Sequence, residues 1–270
     1  MPWIKGVVNV IIMAKYRLSV GCLFRNEAHS IKEWIEHYLL HGVEHFYLID
    51  DGSDDDSCLA LADYVRRGLV TLFKADWARY LGRQRDMYNH YILPMLGSSS
   101  WLLMCDMDEY VWSPENVDLR AVLARCGHLG QIQVDHTLFG SSEHELQPAS
   151  VVAGFCRRAL ASPTLTPGNR KYFVNSRFAF SSLNIHHATF VDVADEKERF
   201  LLLNAHFRMN HYSCQSRSFW LSVKCLRGDG DYWRTRTAAD FDELDVNDVY
   251  DDGLLQQNAA ALALLGLPID

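Results

Sequence analysis

The sequence is short of the features that mark membrane, secreted and nucleic-acid-binding proteins. No run approaches the roughly 18 consecutive apolar residues that a membrane span requires. The stretch "VVNVIIM" near the start is too short for one and lacks a small-residue cleavage site. Positive charge is in deficit, with 26 Lys and Arg against 34 Asp and Glu, a net charge of −8. That argues against a general nucleic-acid binder, which needs clustered Lys and Arg for the phosphate backbone. A small phosphorylated ligand needs only a few local cations and is not excluded. The seven cysteines include no C-x-x-C pair, so neither a zinc ribbon nor a disulfide framework is indicated. Reduced thiols in a cytoplasmic protein are expected, with Cys22 and Cys105 as small apolar core residues. No repeat, low-complexity tract or linker divides the 270 residues.

What is present is an ordinary soluble composition, 49% hydrophobic and 22% charged, with ample core for α/β architecture. "RLSVGCLF" reads as a strand, and "SIKEWIEHYLLHG" as a helix that Ser30 and Glu33 open with a capping box and Gly42 closes. Ile31, Trp34, Ile35, Tyr38 and Leu39 form its buried stripe. "VEHFYLI" is a second strand, ending in "DDGSDDDS". Ser57 is expected to cap a second helix, which Gly68 closes. "LVTLF" is a third strand, a helix follows from about Ala78 to Tyr91 with Pro94 near its end, and "WLLMC" is a fourth strand. Alternation of this kind predicts a Rossmann-like, mostly parallel sheet with flanking helices. Beyond residue 112 the pattern loosens. "GQIQVDHTLF", "NRKYFV" and "FLLLNAHF" read as strands, "FGSSEHELQP" as a loop, and "SRSFWLSVKCLRG" and "GLLQQNAAALALLG" as helices.

In open α/β sheets ligands bind beyond the carboxyl ends of the strands. Those ends carry "RNE" (25–27), "DDGSDDD" (50–56) and "DMDE" (106–109). Asp106, Asp108 and Glu109 are crowded together, and two like charges about 4 Å apart repel by about 4 kcal/mol at an effective dielectric near 20. A hard dication, Mg²⁺ or Mn²⁺, would relieve this, taking one or two carboxylates plus substrate phosphates. The plain alternative is a solvated strand end, which a bare D-x-D does not rule out. The position after an apolar strand, in register with two other polar strand ends, favours the ion. Phosphoryl transfer of the haloacid dehalogenase type falls behind, since Tyr110 stands where Thr or Val belongs and the motif is on the fourth strand.

"DDGSDDDS" lacks the Gly and Glu positions of an EF-hand loop. Two readings stay open: a turn whose acids favour the next helix dipole, or an Asp50 or Asp51 that accepts a hydrogen bond from a nucleotide base. In "YLGRQRDMYNHYI", Arg83 and Arg85 open a helix, as suits a diphosphate or a solvated basic turn.

Taken together, "CLFRNEAHSIKEWIEHYLLHGVEHFYLIDDGSDDDS" and "WLLMCDMDEYVW" resemble the glycosyltransferases of the family 2-like and family 92 group, which have a GT-A fold. The resemblance runs from about Arg17 to Gly228. It includes "FGSSEHELQP", "KYFVN", "IHHATF" and "NHYSCQSRSFWLSVKCLRGD", with an H-Y, a Ser and a K-x-x-R-G in the family's order. It implies an α/β, GT-A-type enzyme that moves a sugar from a nucleotide sugar, usually a UDP-sugar, to an acceptor hydroxyl in glycan or surface-polysaccharide assembly. By the same analogy Asp106 and Asp108 hold Mn²⁺ or Mg²⁺ against the diphosphate. Asn26, Glu27 and Asp50 or Asp51 line the base and ribose, and Arg83 and Gln84 face ribose or phosphate. His211 completes the metal shell or only hydrogen-bonds locally, and Lys224 neutralises the departing UDP. The domain division implied is a flexible extension over 1–16 and one domain over 17–270, with a nucleotide-binding half to 112 and an acceptor half from 113.

An inverting transferase also needs a carboxylate base. Glu143 is the first candidate, with Asp135 and Asp192 as rivals, and Gly stands at the position of Glu143 in some relatives. His144, His186 and His187 are candidates for sugar hydroxyls. Trp112, Trp220 and Trp233 are candidates for stacking on sugar faces, with core packing favoured for Trp220. A nucleotidyltransferase of related topology is the rival enzyme, although "FRNEAHS" has no glycine where its loop would need one. A non-catalytic nucleotide- or glycan-binding domain is the rival outside enzymes. "GLLQQNAAALALLGLP" leaves a peripheral membrane contact open, with too little positive charge to favour it.

Overall fold

The computed structural model describes residues 14–160, 170–228, 230 and 236–269. The first half has the expected alternation. β1 (Tyr16–Phe24) is followed by the helix Ile31–Leu40, β2 (His45–Asp50), the short helices Ser57–Ala60 and Ala62–Arg66, and β3 (Val70–Lys74). The helix Arg83–Met87 continues through a π turn (Tyr88–Ile92) and a 3₁₀ turn (Leu93–Ser98) into β4 (Ser99–Met104). These four strands lie in the order β3-β2-β1-β4, all parallel.

The parallel pattern stops there. β5 (Glu109–Trp112), β6 (Gln131–Leu138), β8 (Arg170–Asn175), β11 (Phe200–Leu202) and β12 (Arg208–His211) complete a nine-stranded sheet that continues β4-β8-β6-β12-β5, with β11 beside β6. β8 is antiparallel to both β4 and β6, and β12 is antiparallel to β5. Two small ribbons stand apart: β9 (Phe180–Leu183) with β10 (Ala188–Phe190), and β7 (Arg157–Arg158) with β13 (Val249–Tyr250). The C-terminal helix is Gly253–Leu265.

β1 is covered on both faces, as central parallel strands are. Leu18, Val20 and Cys22 pack with Trp34, Ile35 and Tyr38 on one side, and Leu23 packs with Ile49, Tyr88 and Met104 on the other.

Several local expectations change for identifiable reasons. Ser30 and Glu33 do not form a capping box. Glu33 is buried, and its carboxylate accepts from Ser150 Oγ (2.8 Å) and from the amides of Val151 (2.7 Å) and Val152 (2.9 Å), serving a different helix start. Asp56, not Ser57, occupies the cap position, while the Ser57 hydroxyl accepts from the Glu27 amide at 2.8 Å. The third crossover helix starts only at Arg83, because Gly82 adopts φ 88°, a left-handed conformation that glycine permits. Pro94 does not end that helical path. It sits in the first turn of the 3₁₀ segment, where its missing N–H has no partner to lose. Residues 1–13 of the expected extension lie outside the described residues, and Tyr16 already pairs with Ser99 in the sheet.

The turn between β4 and β5 carries the "DMDE" acids, and the first helix fixes it. Trp34 Nε1 donates to the carbonyls of Asp106 (3.2 Å) and Glu109 (3.0 Å), and Tyr38 Oη donates to the Glu109 carbonyl at 3.0 Å. Each buried hydrogen bond contributes about 1 kcal/mol, and an orphaned buried carbonyl costs about 1–3 kcal/mol. Trp34→Phe is therefore expected to destabilise the protein by about 2–4 kcal/mol, combining both effects with the lost ring volume. Urea unfolding measures this, and a change below 0.5 kcal/mol, roughly the surface-substitution range, would show that the turn does not depend on Trp34.

Candidate active site

The carboxyl ends of β1, β2 and β4 open on one crevice of about 430 Å³. Leu23, Phe24, Arg25 and Glu27 line it after β1, Asp51 after β2, and Asp106, Met107 and Asp108 after β4. Gln84, Ile185, His186, Arg227, Gly228, Gly230 and Arg236 close the remaining sides, with Arg79 among them.

Two buried lysines answer the repulsion among the acids. Lys171 Nζ lies 2.7 Å from Asp106 Oδ2 and 3.6 Å from Glu109 Oε2. Burial works against its charge, and Asp106 and Glu109 outweigh burial and hold the ammonium well above the ordinary lysine value. Lys224 Nζ lies 2.5 Å from Asp108 Oδ2 and also donates to the Ser213 carbonyl. Burial alone would raise the Asp108 carboxyl, but Lys224 and His211 hold it well below the usual carboxylate range. Glu109 faces inward, accepting from the Asp106 amide at 2.8 Å, and burial pushes it up to about 8. His211 ends β12 opposite Glu109, with Nε2 3.7 Å from Asp108 Oδ1. Burial drives its imidazole down to about 3, so it is neutral at physiological pH.

Asp106 and Asp108 each keep Oδ1 clear of a lysine. Gln84 Nε2 and Tyr88 Oη stand 3.5 Å from Asp106 Oδ1. Among the described residues, no three His, Cys, Asp or Glu side chains gather closely enough to hold a metal ion by themselves. Two carboxylates with phosphate oxygens completing the shell is nevertheless a set that Mg²⁺ accepts, so the donor set fits an ion that arrives with a phosphorylated ligand.

The other expected residues divide. Glu27, Asp51 and Gln84 line the crevice, but the first two are already paired. Glu27 meets Arg227 at 2.5 Å. Asp51 forms a buried two-pronged pair with Arg83, whose Nη1 lies 3.0 Å from Asp51 Oδ2 and also donates to the Gly230 carbonyl at 3.1 Å. Arg83 thus stands behind Asp51 and does not line the crevice. Asp50 turns into its own loop, accepting from the Ser53 amide (2.8 Å) and the Cys58 thiol (3.2 Å), which is the turn reading. Asn26, at φ 55°, exchanges hydrogen bonds with Asp54 and is not among the crevice residues.

None of the three proposed bases lines the crevice. Glu143 is exposed, on left-handed backbone at φ 67°. Asp192 caps the helix Val193–Arg199, and Asp135 pairs with Arg170 at 2.6 Å. Of the histidines only His186 reaches the crevice, whereas His144 is exposed beside Phe155 and His187 lies next to Asn184. Trp220 is core, Trp112 is buried under the Arg208 guanidinium, and Trp233 lies outside the described residues.

Lys171 and the arginines 25, 79, 227 and 236 were not singled out individually in the sequence. The spacing around "NRKYFV" marks a strand, and only the antiparallel entry of β8 beside β4 aims Lys171 at the acids. With these, seven cationic side chains line or touch the crevice against five Asp and Glu side chains, Glu109 among them protonated below about pH 8, in a chain whose net charge is −8.

Removing Lys171 would leave buried carboxylates uncompensated, so Lys171→Met is expected to cost about 3–5 kcal/mol. A loss under 1 kcal/mol, the usual scale of a surface pair, would contradict the pairing. Glu109 gives a pH signature. Its folded value lies above its ordinary 4.5, so the folded state holds the extra proton between 4.5 and about 8, and stability falls as pH rises through that window. Glu109→Gln is expected to flatten the slope in urea titrations across that range, and an unchanged slope would assign the dependence elsewhere.

A model of glycosyltransferase family 92 matches residues 16–226. A family 92 protein of Oryza sativa subsp. japonica is 27% identical over 154 residues, covering 55% of this chain and 26% of its own. One from Ricinus communis is 24% identical over 155 residues, covering 54% and 27%. The chain thus spans about a quarter of the length of these relatives. Among solved structures, S. aureus TarS in complex with UDP-GlcNAc aligns over 91% of this chain and 71% of its own, at 13% identity and TM-score 0.47. By the match over residues 16–226, the chain belongs to glycosyltransferase family 92.

Proposed function

We propose that the protein is a glycosyltransferase that transfers a sugar from a nucleotide sugar, a UDP-sugar first among candidates, to a hydroxyl of a glycan or similar acceptor. One observation carries the reading: an acidic chain concentrates seven cations around two crevice-facing aspartates at the carboxyl ends of a parallel sheet. A diphosphate is the ligand such a site suits. We further propose that Asp106 and Asp108 would hold Mn²⁺ or Mg²⁺ together with the donor phosphates, while neutral His211 stays beside Asp108 and outside the ion's shell. When bound, the ion supplies Lewis-acid stabilisation of the departing diphosphate.

The chain's own residues do the rest. Lys224 is the buried ammonium beside Asp108, available to charge that develops on the leaving group. Lys171 fixes the orientation of Asp106, and Arg227, held by Glu27, brings positive charge to the crevice wall. Seven unpaired cysteines support a reducing, cytoplasmic setting. Among the described residues no helix is long and apolar enough to cross a membrane.

Thermal shift tests the donor site. UDP with Mn²⁺ is expected to stabilise the protein by about 2.7 kcal/mol at a hundredfold excess over Kd, and Mn²⁺ alone to do far less, because two carboxylates without phosphate make a poor shell. Asp108→Asn is expected to abolish the coupling. UDP stabilisation that is the same with and without metal would remove the ion from the proposal. In a Lys224→Met variant shown by circular dichroism to be folded, turnover is expected to fall about a hundredfold, the scale of losing one preorganised electrostatic contact, and an unchanged rate would take Lys224 out of the mechanism.

A further inference from the structure

A second cavity, of about 320 Å³, opens over the far end of the sheet, where β5, β6 and β12 meet. Its walls include Trp112, Asp135, Thr137, Arg158, Asn204 and Asp251. Two of these, Trp112 and Asp135, were marked in the sequence for sugar contact or base catalysis, and the structure removes both from the crevice and places them together here.

The polar walls are built from planar groups that hold one another in place. Asp135 pairs with Arg170 at 2.6 Å and accepts from Asn204 Nδ2 at 2.7 Å, while the Asp135 amide donates to Asn204 Oδ1 at 2.9 Å. Asp251 pairs with Arg158 at 2.6 Å. Asn210 accepts from the Trp112 indole N–H at 3.0 Å. A carboxylate accepts several hydrogen bonds, so each acid retains capacity for a ligand hydroxyl. Rigid partners of this kind reduce the side-chain ordering that binding costs.

Charge defines the ligand class. The lining holds two carboxylates, Asp135 and Asp251, and two guanidinium groups, Arg158 and Arg208. That balance does not select a strongly charged ligand. It suits a neutral molecule rich in donors and acceptors, and the volume sits at the small end of the range for ligand pockets, about 300–1,000 Å³.

The cavity is also close to the chemistry. His136 lines it, and His136 Nδ1 lies 3.4 Å from Nδ1 of His211, whose Nε2 is 3.7 Å from Asp108. One pair of imidazoles separates it from the aspartates of the crevice. We propose that this cavity is a saccharide subsite, binding a neutral sugar unit of the acceptor on the far side of the His136–His211 pair from the donor. The assignment rests on the transferase reading for the word acceptor and on the cavity's own chemistry for the word saccharide.

Saturation-transfer NMR with glucose, galactose, mannose and N-acetylglucosamine as probes tests it, with UDP binding measured in parallel. The expected result is transfer to at least one sugar in wild type, lost in Asn204→Trp, which fills the mouth from an exposed position, and weakened at least threefold in Asn204→Ala. Should the tryptophan variant fail to fold by circular dichroism, the alanine variant decides. No transfer to any probe, or transfer that both folded variants retain in full, overturns the subsite. Sugar binding without UDP binding leaves the cavity a saccharide site and refutes the transferase reading instead, so the two failures are distinct.

Discussion

The site depends on placing two lysines beneath two aspartates. Asp106 and Asp108 stand two residues apart in one turn, with buried Glu109 next to them, and the two lysines relieve the repulsion among these acids. Lys171 and Lys224 reach it from two different elements, one an antiparallel strand and the other the helical segment Trp220–Lys224. Both are nearly fully buried, where an ammonium without a carboxylate would be costly. Acids and lysines therefore require one another, and both lysines come from the C-terminal half of the chain.

That arrangement also shapes how the crevice meets a ligand. Each aspartate uses one oxygen on its lysine and keeps the other free of a lysine, Asp106 Oδ1 near Gln84 and Tyr88 and Asp108 Oδ1 near the neutral His211, which keeps the turn intact while leaving acceptor capacity for the proposed cation. The surrounding arginines tilt the local balance to positive in an acidic protein, which is the local potential that the proposed diphosphate ligand needs. The fixed backbone of the turn, held by Trp34 and Tyr38 through its carbonyls, leaves the side chains as the variable part.

Much of the first half was legible because its physics is local. Apolar runs, helical stripes and glycine stops located β1 to β4, and the α/β class with it, and the strand-end rule located Glu27, Asp51, Asp106 and Asp108 around one crevice. What failed was pairing at long range. Glu33 looked like a capping residue by its spacing from Ser30, yet it serves amides more than a hundred residues away. Arg83 looked like a phosphate ligand and is instead the partner of Asp51. Glu143 looked like a base because its loop was polar, but no residue of that loop lines the crevice. Lys171 carried no local signal, since its importance comes from β8 entering antiparallel between β4 and β6, a topology that strand periodicity does not encode.

The central claim is that the crevice around Asp106 and Asp108 activates a nucleotide sugar toward loss of its diphosphate. Donor turnover without acceptor reads this directly, by following nucleoside diphosphate release from a panel of UDP-, GDP- and dTDP-sugars with Mn²⁺ present. The account predicts slow release from at least one donor, absent in a folded Asp106→Asn, Asp108→Asn double variant. Release at the same rate in wild type and the double variant, or binding of no nucleotide at all by the wild type, would contradict it.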